Sequence, residues 1–126
     1  MKLNLNQITV SVKDVEKSIA FYQKLGLHLI VQSLPKYARF ECADGDTTFS
    51  LHQSDENISA STWIYFETDT LEGDVQNLLA AGIAFENLPT DQPWLWKEAR
   101  LKDPDGNQLI LYTAGKNRKS PPWRIN

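Results

Sequence analysis

A chain of 126 residues with a net charge of -3, thirteen basic against sixteen acidic side chains, has the size of one domain and no global field to gather phosphate backbones, so nucleic acid is not an expected partner. No run approaches the roughly 20 apolar residues of a membrane span, and the polar opening MKLNLNQITV lacks the apolar stretch of a signal peptide, which leads to the expectation of a cytoplasmic protein without a membrane partner. A single cysteine, Cys42, excludes an intrachain disulfide and fits a reducing compartment; beside Phe40 it reads as a small core residue rather than a nucleophile.

In chain order, QITVSV from Gln7 alternates apolar and polar residues as a half-buried strand does, and Val15, Ile19 and Tyr22 follow at helical spacing. Asp14 is placed to cap that helix and Gly26 to end it. Three strand-like stretches come next, LHLIVQS, YARFECA and TTFSLHQ, the last two joined by Asp44-Gly45 at a tight turn. The pattern then repeats. WIYFE from Trp63 echoes the first strand, Leu71, Val75 and Leu78 echo the helix, and Gly82 echoes Gly26. Either Asp69 or Thr70 caps the second helix; if Asp69, Glu72 completes a capping box. IAFENLP, WKEARLK and QLILYT read as three further strands, with Asp105-Gly106 at the last turn. The closing segment GKNRKSPPWRIN gathers Lys116, Arg118, Lys119 and Arg124, and reads as a solvated tail in preference to a basic binding arm.

The expected fold is therefore α+β, two tandem βαβββ modules whose curved mixed sheet forms a cup, within a single domain 1–126: module one about 5–56, module two about 61–114, and a tail 115–126. Period-2 alternation sorts the strand residues by face. Ile8, Val10, Val12, Phe40, Cys42, Phe49, Leu51, Ile64, Phe66, Ala99, Leu101, Leu109 and Leu111 should lie under the helices. The opposite face receives Gln7, Tyr37, Arg39, Ser50, His52, Trp63, Tyr65, Glu67, Trp96, Glu98, Arg100, Ile110 and Tyr112, together with Thr9, Ser11, Glu41 and Thr48. Aromatics mixed with charges of both signs is the makeup of a ligand cavity; a solvated sheet face or a subunit interface is the competing account. Arg39 and Arg100 occupy equivalent places in the two modules, either offering guanidinium forks to an acidic ligand or pairing with Glu41, Glu67 or Glu98. In QPWLWKEAR, Trp96 is expected in the cup and Trp94 near its rim, with packing against the Trp123 tail or a dimer interface as alternatives.

NQITVSVKDVEKSIAFYQKLGL and RLKDPDGNQLILYT resemble the opening and the closing hairpin of the vicinal oxygen chelate superfamily, the fold of glyoxalase, bleomycin resistance protein and extradiol dioxygenase, and the resemblance spans residues 5–113. It implies a cup that, in metal-dependent members, holds a divalent ion through histidines and glutamates on four strands. Carried over by position, those four ligand places fall on Gln7, Ser50, Trp63 and Ile110. Glutamine serves at the first place in some glyoxalases, serine is a poor ligand, and neither an indole nor an alkyl chain offers a lone pair. No metal and no cofactor are therefore expected.

The resemblance further implies a homodimer that sequesters its ligand without catalysis, as bleomycin-resistance proteins do, and the aromatic and charged lining suits a small organic molecule, aromatic or charged or both. The alternative is an enzyme, a lyase, isomerase or dioxygenase, with a displaced metal on Gln7, His52 and Glu67 or with His52 in acid-base work. No nucleophile elbow or phosphate loop supports another chemistry. A third reading buries the aromatic face against another protein.

Overall fold

A computed structural model describes residues 1–2, 5–56 and 62–125. The module boundary expected at residue 61 and the last residue of the tail lie outside them. The described residues fall into two compact units. The first contains β1 (Gln7–Val12), α1 (Val15–Lys24), β2 (His28–Ser33), β3 (Tyr37–Glu41) and β4 (Thr48–Gln53), together with residues 103–107. The second contains β5 (Trp63–Glu67), α2 (Leu71–Ala80), β6 (Thr90–Asp91), β7 (Lys97–Lys102), β8 (Gln108–Thr113) and a 3-10 turn at Gly115–Asn117. No helix among the described residues is long and apolar enough to cross a membrane.

In the first unit the strand order is β1-β4-β3-β2, with β1 parallel to β4 and the remaining pairs antiparallel. The helix forms where the sequence places it: the Asp14 carboxylate accepts from the Lys17 amide at 3.0 Å, and Val15, Ser18, Ile19 and Tyr22 make its buried face. Gly26, at φ 94°, ends it in the left-handed region that a side chain would strain. Val10, Val12, Phe40, Phe49 and Leu51 pack under that face, with the Tyr22 ring 4.8 Å from Phe49. Each such apolar side chain taken from water contributes roughly 1.5–3 kcal/mol.

Tyr22 also carries the unit's principal buried polar knot. Its hydroxyl donates to Asp103 at 2.7 Å, and the Asn107 side-chain amide donates both to Asp103 at 2.7 Å and to the Ser11 carbonyl at 3.1 Å. Asp103 further accepts from the backbone amides of Asp105 and Asn107. Strand order gives the Asp103–Asn107 turn to the second module, whereas packing gives it to the first unit.

The second unit repeats the plan, in the order β5-β8-β7-β6 with β5 parallel to β8. Two expectations need correction. IAFENLP is not a strand: the only strand there, β6, is two residues long and begins after Pro89. The Asn87 side chain does the ladder's work instead, donating to the Glu98 carbonyl at 3.0 Å and accepting from the Arg100 amide at 3.0 Å, while the Glu86 amide reaches the Arg100 carbonyl. The Asp69–Glu72 capping box does not form either. Thr70 stands at the N-cap without a side-chain bond to the helix amides, its hydroxyl donates to Asp74, and Glu72 pairs with Lys97 at 2.5 Å.

β8 is buried on both faces, which explains its unbroken run of large residues. Leu109 and Leu111 belong to the helix-side pattern, whereas Ile110 and Tyr112 form a second cluster with Ala114, Tyr65 and Trp96.

Removing the Tyr22 hydroxyl strips a buried carboxylate of a donor, so Tyr22→Phe should destabilise the fold by about 1–3 kcal/mol in urea denaturation. Burial first, and Asp103 second, push the Tyr22 phenol well above its ordinary value. An unfolded phenol ionises near pH 10. Stability should be full below that pH and fall as pH rises through it, and Tyr22→Phe should remove part of that alkaline slope.

Candidate functional site

The open face of the first sheet carries a continuous hydrogen-bonded chain. Register sets Thr9 and Arg39 on either side of Ser50, and Ser11 and Tyr37 on either side of His52. Gln7 Nε2 donates to Ser50 Oγ at 2.9 Å, Ser50 Oγ lies 2.8 Å from Tyr37 Oη, and Arg39 Nε donates to Tyr37 Oη at 2.8 Å. The Arg39 guanidinium also lies 5.5 Å from the centre of the Tyr37 ring. Gln7 is held at its other end as well, because Thr48 donates to its Oε1.

The orientation of that amide follows from its neighbours. Gln7 Nε2 also lies 3.2 Å from the Ile8 carbonyl, which can only accept, so nitrogen and not oxygen must face Ser50. Ser50 is fully buried, and with Gln7 donating to it, its own proton has Tyr37 Oη as acceptor. The phenol oxygen thus receives two donors, leaving its own O-H free to point outward. Slight burial raises the Tyr37 phenol, but the bonds from Ser50 and Arg39 and the guanidinium charge outweigh it, and the phenol lies below its ordinary value.

The equivalent face of the second sheet is built from rings, two glutamates and an arginine. Tyr65, Trp96 and Tyr112 interlock, with Trp96 stacked 4.9 Å from Tyr112 and Tyr65 edge-on to both. The Trp96 indole donates to the Asn117 carbonyl at 3.1 Å. Burial pushes the phenols of Tyr65 and Tyr112 up, with Glu98 adding to the first and Glu67 to the second. Arg100 lies 4.6 Å from the centre of the Trp63 ring and 3.6 Å from the Glu98 carboxylate. Glu98 is 0% exposed; Trp94 donates to one of its oxygens at 2.8 Å, and among the described residues the other has no hydrogen-bond donor, only the charge of Arg100 3.6 Å away.

Of the residues proposed from the sequence, the first unit brings Gln7, Tyr37, Arg39 and Ser50 into one network. His52 is exposed beside Tyr37 without a hydrogen bond or ion pair among the described residues. The second unit gathers Tyr65, Trp96, Ile110 and Tyr112 into one cluster and Glu98, Arg100 and Trp63 into another. Glu67 is exposed and pairs with Arg118 of the tail at 3.5 Å. Ile110 is fully buried and Trp63 is 49% exposed. Trp94 meets the cluster through Glu98, while Trp123 remains exposed.

Three partners escaped the sequence reading: Thr48 on Gln7, the Asn117 carbonyl on Trp96, and Arg118 on Glu67. Only the first had a usable signal, since pairing β1 with β4 in parallel sets Thr48 opposite Gln7. Cys42 is half-buried and not the core residue expected, and burial pushes its thiol up. A depression of about 290 Å³ beside Lys13, Glu16, Pro35 and Gln53 contains none of these residues.

The four places where metal-dependent relatives would carry ligands do not fit a divalent ion. Gln7 has its amide oxygen engaged by Thr48, Ser50 is committed within its network, Trp63 offers an indole face, and Ile110 is a buried alkyl chain. Among the described residues no three His, Cys, Asp or Glu side chains are grouped to hold one elsewhere.

The family model "Glyoxalase/Bleomycin resistance protein/Dioxygenase superfamily" matches residues 4–111, and the chain belongs to that superfamily. Among solved structures, it is similar to a glyoxalase/bleomycin resistance protein/dioxygenase from Nocardioides, with TM-score 0.80 and 21% identity over 100% of this chain and 91% of the other. It is also similar to an integron cassette protein from the Halifax Harbour sewage outfall metagenome, with TM-score 0.78 and 21% identity over 89% and 99%. A lactoylglutathione lyase from Agrobacterium tumefaciens matches with TM-score 0.74 and 18% identity over 89% and 94%. At these identities the likeness is one of fold. No curated protein sequence is significantly similar to the chain.

Two outcomes follow from the geometry. The first tyrosine to ionise as pH rises should be Tyr37; ultraviolet difference titration should show this early phenolate vanish in Tyr37→Phe and move to higher pH in Arg39→Gln. Arg100→Met should destabilise the protein by about 1–3 kcal/mol by leaving the buried Glu98 carboxylate without its cation. The double variant Arg100→Met/Glu98→Leu should be more stable than Arg100→Met alone, as read by thermal denaturation.

Proposed function

We propose that the protein binds a small organic molecule, aromatic or charged or both, without a divalent metal, in the style of bleomycin-resistance-type members of its superfamily. The observation that carries this reading is the chemistry at the four ligand places. They hold an amide already engaged by Thr48, a buried hydroxyl, an indole and a buried isoleucine, so they lack the donors of a metal site, while the exposed Gln7 and Trp63 remain open to a ligand. In the second unit Trp63, Tyr65 and Trp96 offer ring faces and edges beside Glu67 and Arg100, and in the first Gln7, Tyr37, Arg39 and His52 offer polar groups; the buried Tyr112, Glu98 and Ser50 act through these neighbours.

A second reading, acid-base catalysis, draws on one observation: the unbonded His52 imidazole stands across from Tyr37, whose outward O-H could share a proton with a ligand. A displaced metal on Gln7, His52 and Glu67 is less favoured, because Thr48 and Arg118 engage two of those three side chains. The proposal extends to a cytoplasmic homodimer, supported by the single cysteine and by exposed Ile30 and Val31 on the edge strand β2.

Protein purified without chelator should contain no stoichiometric divalent metal by elemental analysis. Its tryptophan fluorescence should be quenched by an aromatic compound drawn from a thermal-shift screen, and Trp63→Ala should lose that quenching. A ligand at 100 times its dissociation constant would add about 2.7 kcal/mol of stability, enough to raise the melting temperature visibly. A stoichiometric metal that His52→Ala releases would overturn the reading in favour of the enzyme.

A further inference from the structure

We propose that Arg39 and Tyr37 form a seat for an oxyanion, so that the ligand of this protein carries a carboxylate or a phosphate group. The inference rests on the small-molecule reading above and adds the ligand's charge.

It comes from comparing the two equivalent arginines. Each is held by the residue two places before it on the same strand, which points to the same side of the sheet. In the second unit that residue is Glu98, fully buried, and its carboxylate lies 3.6 Å from Arg100. The charge of Arg100 is thereby matched inside the protein. In the first unit the same place holds Tyr37, a neutral phenol that accepts from Arg39 Nε. Among the described residues Arg39 makes no ion pair, and its Nη1 and Nη2 donate to nothing.

The guanidinium is nonetheless fixed in place. Its Nε is bonded to a phenol, the phenol to a fully buried serine, and the serine to a glutamine held at both ends. A fork oriented in this way loses little conformational freedom on binding and matches the paired oxygens of a carboxylate or phosphate. The phenol adds a third donor. With both its lone pairs occupied by Ser50 and Arg39, its O-H can only donate outward, beside the free edge of the guanidinium. Three donors with one uncompensated positive charge select an oxyanion over a neutral carbonyl or a cation.

Calorimetric titration of the intact protein with benzoate, phenyl phosphate and benzylamine tests this. At least one of the two anions should bind about tenfold or more tightly than benzylamine, and Arg39→Gln should lose about tenfold of that affinity without weakening benzylamine. Arg39→Lys, which keeps the charge and loses the fork, should recover part of it. A preference for phenyl phosphate identifies a phosphate ligand, and a preference for benzoate a carboxylate. Because Tyr37→Phe also strips Ser50 of its acceptor, its folding needs checking by circular dichroism; the independent readout is the Tyr37 phenolate titration, which bound benzoate should move to higher pH. If benzylamine binds best, or if Arg39→Gln binds the anions as wild type does, the oxyanion seat is wrong and small-molecule binding stands. If no aromatic probe of either charge binds the wild-type protein, both fall.

Discussion

Side chains two apart on a strand share a face, and this constraint ties each arginine of the two sheets to the residue that precedes it by two. Where that residue is glutamate, the pair closes on itself, and the carboxylate withdraws from water behind an indole N-H while the guanidinium stays part-exposed. Where it is tyrosine, the guanidinium is steadied but meets no carboxylate among the described residues. Burying Glu98 is tolerable only because Arg100 and Trp94 stand beside it; a carboxylate taken from water alone would cost several kcal/mol. The two halves thus fill one backbone plan differently, with an aromatic face whose arginine meets a carboxylate in one and a polar row whose arginine meets a phenol in the other.

That divergence lies at the places where metal-dependent members of the superfamily keep their ligands. Gln7 and Ser50 stand in the first sheet as Trp63 and Ile110 do in the second, and each pair has joined its local surroundings. Gln7 and Ser50 have become links in a hydrogen-bonded chain, whereas Ile110 has become part of an apolar cluster and Trp63 a platform for Arg100. Restoring a metal centre would need more than new ligands, since Thr48 and Tyr37 would have to release the side chains they now hold.

Much of this was legible in the sequence, because both helices and most strands follow the local alternation that builds them. Asp14 and Gly26 mark the ends of α1 by chemistry that needs no tertiary contact. The failures share a cause. IAFENLP has the alternation of a strand, but the β7 groups its backbone would pair, the Glu98 carbonyl and the Arg100 amide, are taken by its own Asn87 side chain, a long-range bond that no window of sequence reveals. Glu72 has capping-box spacing, yet Lys97 claims it from another strand. At the candidate site the membership of each face followed from period 2, whereas the difference between Arg39 and Arg100 lay in which neighbour each contacts, and that only coordinates supply.

Asn87 has an effect beyond its own loop, within the second unit. A sheet that ends in a two-residue strand would expose the free amides and carbonyls of β7 as a template for a passing chain. By taking the Arg100 N-H and the Glu98 carbonyl onto a side chain, Asn87 closes that margin with groups that cannot propagate a ladder. Such a margin is a poorer template for edge-to-edge pairing at the strand that carries Glu98.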